Sequence, residues 1–228
     1  MSTTVLIVED DDDLRQLVML AVRESGHRVV EASDGPSAID AFHAHRPDVV
    51  VLDIGLGAMD GLEVCRRVRA ARNVPILFLT SRADEIDQLV GFAAGADDYV
   101  TKPFSVKLLI ARISSLLRRG TADDAPRSVY SFGPLSIDVE AREVVVDGQP
   151  VELTKTEFDV LATLAENPKR VMPREELVER VWGSWYGDDH IVEVHLSRMR
   201  TKIKKAGGPR VGVATDRKST RLNSSHSS

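Results

Sequence analysis

Cysteine is almost absent from this chain: among 228 residues only Cys65 carries a thiol. A single thiol can build neither a disulfide framework nor a cysteine metal cluster. Its setting, Leu62-Glu63-Val64-Cys65-Arg66-Arg67, reads as a buried helical position rather than a reactive one. No apolar run approaches the roughly 20 residues of a membrane span, so no membrane partner is expected. Met1-Ser2-Thr3-Thr4 leads straight into an apolar run with neither a basic segment nor a signal core, which points to a cytoplasmic protein. No internal repeat or low-complexity segment precedes the C-terminal tail. One absence is local. The net charge is −5, yet no acidic residue falls between Glu193 and Asp216, where Arg198, Arg200, Lys202, Lys204, Lys205 and Arg210 gather.

What is present is a set of four short apolar runs, each ending in residues that handle phosphate or a divalent cation. Val5-Leu6-Ile7-Val8 ends in Glu9-Asp10, and Val49-Val50-Val51-Leu52 ends in Asp53. Ile76-Leu77-Phe78-Leu79 ends in Thr80-Ser81, and Tyr99-Val100-Thr101 ends in Lys102-Pro103. Apolar runs without polar alternation are strands buried on both faces, as in a parallel sheet covered by helices. In such sheets ligands bind outside the carboxyl ends of the strands. The fold class expected is therefore α/β: a five-stranded, doubly wound parallel domain over residues 1–120. Strands are expected near 4–9, 28–31, 48–53, 75–79 and 97–100, with helices near 12–25, 36–45, 61–70, 84–94 and 105–118. This arrangement brings Glu9, Asp10, Asp53, Thr80 and Lys102 to one edge. The run Asp10-Asp11-Asp12-Asp13 also suits a solvated helix N-terminus, and that reading is kept for its last three members.

Residues 121–128 lack apolar periodicity and read as a linker. A second domain of α+β type is expected over 129–215. It opens with short strands in Tyr130–Val139 and Glu143–Glu152, the latter turning at Asp147-Gly148. Thr154-Lys155-Thr156-Glu157 is a capping box ahead of one helix, and further helices run near 173–181 and 190–206. Three helices, the last of them basic, describe a winged helix-turn-helix. On the last helix Ile191, Val194, Leu196, Met199 and Ile203 make an apolar side, leaving Ser197, Arg198, Arg200 and Lys202 for the major groove or phosphates. His195 reads as structural.

The set Glu9-Asp10, Asp53, Thr80 and Lys102-Pro103 resembles the receiver domain of bacterial two-component response regulators. Val151 to Phe158, Arg174-Glu175-Glu176-Leu177, Val181-Trp182-Gly183 and Val192 to Arg200 resemble the OmpR/PhoB-type winged-helix effector. The resemblance implies a transcription regulator rather than an enzyme. Asp53 would accept a phosphoryl group from a sensor histidine kinase. Mg²⁺ would be held by Asp10, Asp53 and the main-chain carbonyl of Gly55, with Glu9 acting through water. Lys102 and Thr80 would contact phosphoryl oxygens, and Thr80 and Tyr99 would form the switch. The Lys102-Pro103 peptide is implied to be cis. A phosphorylation-driven homodimer would use Leu89, Phe92, Asp97, Asp98, Ile110, Arg112 and Arg119, and would bind tandem sites in promoter DNA and engage RNA polymerase.

Some positions depart from that pattern. Gly57 stands where the family carries proline. Gln88, Ala93 and Leu108 stand where it carries charges. After Thr215 the string running to Ser228 replaces the family's wing and final strand, and resembles the in-frame translation of a sequencing adapter. That tail, 216–228, is expected to be disordered. Two alternatives stay open: a haloacid-dehalogenase-like phosphatase, and a DNA-binding module whose receiver only dimerises. The first requires a second aspartate where this chain has Gly55.

Overall fold

The computed structural model describes residues 3–57, 59–80, 95–118, 129–168, 170–183, 190–211 and 219–220. The chain forms two compact units, Met1–Arg118 and Arg119–Ser228. In the first, β1 (Thr4–Val8), β2 (Arg28–Ala32), β3 (Val49–Asp53), β4 (Ile76–Thr80) and β5 (Asp98–Thr101) form one parallel sheet in the order β2-β1-β3-β4-β5. The helices are α1 (Asp12–Glu24), α2 (Gly35–His45), α3 (Gly61–Ala71) and α4 (Val106–Arg118). The helix expected near 84–94 lies outside the described residues.

Strand alternation explains the unbroken apolar runs. Leu6, Val8, Val50, Leu52 and Phe78 point to one face and pack with Phe42 of α2 and Val64 and Val68 of α3. Val5, Ile7, Val49, Val51, Leu77 and Leu79 point to the other and meet Val18 and Val22 of α1 and Leu109 and Ile113 of α4. The strand order reverses between β1 and β3, so the crevice at their carboxyl ends is the binding edge.

Local chemistry sets the helix starts. Asp11 caps α1 by accepting from the Leu14 N–H at 2.9 Å, while Asp12 and Asp13 fill the first turn. Asp34 caps α2 through the Ser37 N–H at 2.8 Å, and Asp60 caps α3 through the Leu62 N–H at 3.0 Å. Two glycines matter beside the sheet edge. Gly57 has φ of 37°, which proline cannot adopt, so the departure at this position has a backbone reason. Gly61 lies against the acceptor strand: a Cβ there would stand 2.1 Å from the Asp53 carbonyl oxygen and 2.8 Å from the Ile54 Cα.

In the second unit β6 (Val129–Phe132), β7 (Leu135–Asp138), β8 (Glu143–Val146) and β9 (Gln149–Pro150) form an antiparallel meander. Asp147 and Gly148, both at positive φ, make the turn between β8 and β9. Three helices follow: α5 (Lys155–Glu166), α6 (Arg174–Trp182) and α7 (His190–Lys205). The capping box is complete, with Thr154 N–H donating to Glu157 Oε2 at 2.8 Å and Glu157 N–H to Thr154 Oγ1 at 3.4 Å.

One expectation is corrected here. The tail beyond Thr215 is not without structure throughout. β11 (Ser219–Thr220) pairs antiparallel with β10 (Met172–Pro173). Backbone pairing needs no apolar side chain, so a tail unable to build a core can still satisfy the open edge of β10.

The close approach at Gly61 generates a test. Gly61→Ala forces a methyl group into backbone that cannot swing aside, so the chain should lose about 1–3 kcal/mol of stability, as overpacking does. Urea unfolding of the full chain followed by probes specific to the first unit should show the loss in that unit's transition; an unchanged midpoint would contradict the packing described.

Candidate functional site

Glu9, the residue after β1, is fully buried, and its carboxylate accepts from Lys102 Nζ at 3.0 and 2.8 Å. The same ammonium lies 3.0 Å from Asp53 Oδ2. Asp53, at the end of β3, is buried, whereas Asp10 is exposed. Ligand atoms of Glu9, Asp10 and Asp53 all lie within 4.8 Å of one another. Burial pushes the Glu9 carboxyl above its ordinary pKa and the charge on Asp53 adds to this, against the hydrogen bonds from Lys102. Burial disfavours the Lys102 ammonium, but its bonds to Glu9 and Asp53 outweigh that and raise its pKa. Three carboxylates around one ammonium leave an excess of negative charge. That excess is what a hard divalent cation offsets, and the all-oxygen donor set suits one. The Gly55 carbonyl accepts from the Gly57 N–H at 3.0 Å and keeps a second lone pair for a cation.

Register brings the rest of the edge together. Thr80, buried at the end of β4, follows Leu79, the partner of Asp53, and is itself paired with Thr101. The Lys102 N–H donates to the Thr80 carbonyl at 2.6 Å, and Lys102-Pro103 is cis. Tyr99 is half-buried against the α2–α3 face of the sheet. Arg15 was not singled out in the sequence. It is buried on α1 and donates through Nη1 to the Glu9 carbonyl at 2.8 Å and through Nε to Glu31 Oε2 at 3.2 Å.

The basic helix of the second unit differs from its expected outline. Ile191, Val192, Leu196, Met199 and Ile203 are buried, as is His195, whose ring lies 5.6 Å from that of Trp182; Val194 is only half-buried. Ser197 is exposed and Arg198 half-buried. Two proposed contacts have partners inside the unit. Arg200 Nε donates to the Val211 carbonyl at 3.0 Å, and Lys202 Nζ lies 2.7 Å from the buried Glu157 Oε2. Arg200 and Lys202 are both half-buried, because each reaches back to an acceptor on a neighbouring segment. Glu193, Ser197, Thr201, Lys204 and Lys205 make the exposed line. The four-residue step from Ser197 to Thr201 could have revealed it.

Residues 5–114 match the response regulator receiver domain, and residues 148–219, past the boundary expected at Thr215, match the C-terminal domain of transcriptional regulatory proteins. The chain is 45% identical to the transcriptional regulatory protein CseB of Streptomyces avermitilis, across 88% of this chain and 91% of that one. It is 43% identical to the sensory transduction protein RegX3 of Mycolicibacterium smegmatis, across 94% and 96%. Among solved structures, the response regulator DrrB, a Thermotoga maritima OmpR/PhoB homologue, aligns over 97% of this chain and 99% of its own, with TM-score 0.53 and 31% identity. This chain belongs to the OmpR/PhoB family of response regulators.

As an OmpR/PhoB-type regulator it is a non-enzymatic, DNA-binding transcription regulator of a two-component system, with a sensor kinase as partner. The phosphatase alternative is set aside. Receivers of this family bind Mg²⁺ at an acidic site, and this chain has the acidic cluster. No described helix is long and apolar enough to cross a membrane.

The expected dimer face needs one correction. Asp97 is fully buried, paired with Arg69 and accepting from the Ile76 N–H at 3.0 Å. It therefore ties α3 to β4 instead of lying on a surface. Asp98 and Arg112 face each other within the chain at 3.7 Å, both buried. Ile110 is half-buried, and Leu89, Phe92 and Arg119 lie outside the described residues.

The Lys202–Glu157 pair separates a structural role from a DNA contact. Lys202→Met strands a buried carboxylate, but the lysine is partly exposed, so the penalty is discounted to about 1–2 kcal/mol. Thermal unfolding should show that loss, with the salt dependence of DNA binding unchanged. A phosphate contact would instead lower the slope of log affinity against log salt by about 1.

Proposed function

We propose that Asp53 accepts a phosphoryl group from a histidine kinase, with Mg²⁺ required, and that this drives dimerisation and promoter binding. The observation that carries the reading is the Asp53 carboxylate at the switch-point edge, 3.0 Å from Lys102 and clustered with Glu9 and Asp10. An Asp53 oxygen attacks phosphorus as the bond to the phosphohistidine nitrogen breaks, leaving an acyl phosphate on Asp53 and a neutral imidazole on the kinase. Lys102, held by Glu9, keeps its positive charge beside the oxygens that gain negative charge. Thr80 donates its hydroxyl to a phosphoryl oxygen once Asp53 is modified, and Tyr99 turns inward as Thr80 moves. Asp10, Asp53 and the Gly55 carbonyl would hold Mg²⁺, with Glu9 acting through water. When bound, the ion neutralises phosphoryl charge.

Asp53→Asn keeps the shape of the side chain but removes the nucleophile. Mass spectrometry after incubation with acetyl phosphate and Mg²⁺ should show a single phosphoryl adduct on the parent chain. None should form on the variant, or on the parent in excess EDTA. An adduct surviving either treatment would falsify the assignment.

The dimer is proposed to form through the face containing Leu89, Phe92 and Ile110, with Asp98 and Arg112 exchanging their internal pairing for one across the two-fold axis. The protein works in the cytoplasm, binds tandem half-sites and engages RNA polymerase. In the groove, Ser197, Arg198, Thr201 and Lys204 face DNA, while Arg200 and Lys202 hold the helix. Ile110→Glu places an unpaired charge in the apolar patch and should abolish phosphorylation-dependent dimerisation. Sedimentation velocity showing an undiminished dimer would place the interface elsewhere.

A further inference from the structure

We propose that Arg15 is a positioning residue for the metal site, acting by aiming the Asp10 carboxylate. This rests on the reading of Glu9, Asp10 and Asp53 as the Mg²⁺-holding set. Two of these carboxylates are restrained directly, since Lys102 contacts both Glu9 and Asp53. Asp10 is different. Among the described residues none hydrogen-bonds to or pairs with its carboxylate, which is exposed. Its direction therefore depends on the backbone that carries it. The peptide unit joining Glu9 to Asp10 includes the Glu9 carbonyl, and that carbonyl accepts from Arg15 Nη1 at 2.8 Å in a buried contact.

The guanidinium is itself fixed from two further sides. Nε donates to Glu31 Oε2 on β2 at 3.2 Å, and Nη2 pairs with Asp12 in the first turn of α1. Its planar fork thus joins the end of β1, β2 and the start of α1 around one peptide plane. Next to it, the Glu9 N–H donates to the Ala32 carbonyl at 3.2 Å, so both sides of Glu9 are held from β2 and α1. Lysine could supply the bond to the carbonyl but not the other two at the same time. Partners that orient a metal's ligands without touching the metal commonly matter about 10–100-fold in affinity.

The test is an equilibrium titration of the isotopically labelled full chain with Mg²⁺ and no phosphodonor, read from the amide shifts of Asp53 and Gly61. Arg15→Met should weaken Mg²⁺ binding about tenfold, and Arg15→Lys by a smaller factor. In an Asp10→Asn background Arg15→Met should add no further loss, because the group that Arg15 aims is gone. An unchanged affinity in Arg15→Met, or an equal loss in both backgrounds, overturns the proposal; a merely structural role predicts the second of these. If Arg15→Met does not fold, Arg15→Lys measured in both backgrounds carries the same comparison. A parent chain whose shifts do not saturate with Mg²⁺ would overturn the metal reading itself, and with it this inference. A parent that binds as tightly as Arg15→Met would overturn only the role of Arg15.

Discussion

The Lys102 ammonium between Glu9 and Asp53 is the interaction on which the first unit depends. Two buried carboxylates repel each other, and a single cation within about 3 Å of both offsets that repulsion. Such an arrangement is a poor source of stability, since desolvating three charged groups consumes most of what their attraction returns. Its value is geometric. Lys102 follows β5, Glu9 follows β1 and Asp53 ends β3, so the cluster exists only where the sheet brings these three ends together. The apolar faces packed by α1 to α4 hold an electrostatic arrangement that would not assemble alone.

The second unit applies the same principle at a different place. Glu157 closes the capping box of α5 and also receives Lys202 from α7. One buried carboxylate thereby starts one helix and anchors the basic helix α7. Arg200 adds a second tie through the Val211 carbonyl. Two cations of the basic helix thus fix its orientation, leaving shorter or more distal side chains, Ser197, Thr201 and Lys204, on the open face. Positive charge on the basic helix therefore serves its placement within the unit.

Much of this was legible in the sequence because it depends on local pattern. Unbroken apolar runs identified the parallel sheet, and the residues ending them identified the clustered edge. Thr154 and Glu157 marked α5, and Asp11 among four successive aspartates capped α1. What was not legible depends on reach. Sequence shows the sign of Asp97, Arg200 and Lys202 but not that each finds a partner inside its own unit. Nothing local to α1 marks Arg15, whose contacts with Glu31 and Glu9 come from β2 and the end of β1. Gly61 could be read as a helix start, but its contact with the Asp53 carbonyl needs the sheet. The pairing of Ser219–Thr220 was missed because composition measures the capacity to build a core, whereas an open strand edge asks only for backbone.

The burial of Asp97 changes how the proposed dimer face should be understood. The sequence already lacks charges at Gln88, Ala93 and Leu108, and the structure commits Asp97 to Arg69. Exposed ion pairs contribute little to affinity, so their loss need not weaken association if apolar area is kept. Their larger contribution is to exclude wrong partners, because mismatched charges penalise a foreign surface more than matched ones reward the right one. A face with fewer charges gives up part of that discrimination and places more of it on shape. In the proposed dimer, Ile110 would then supply by fit part of what the missing pairs would have supplied by sign. Selectivity among related regulators in one cell would rest on packing at this patch more than on charge.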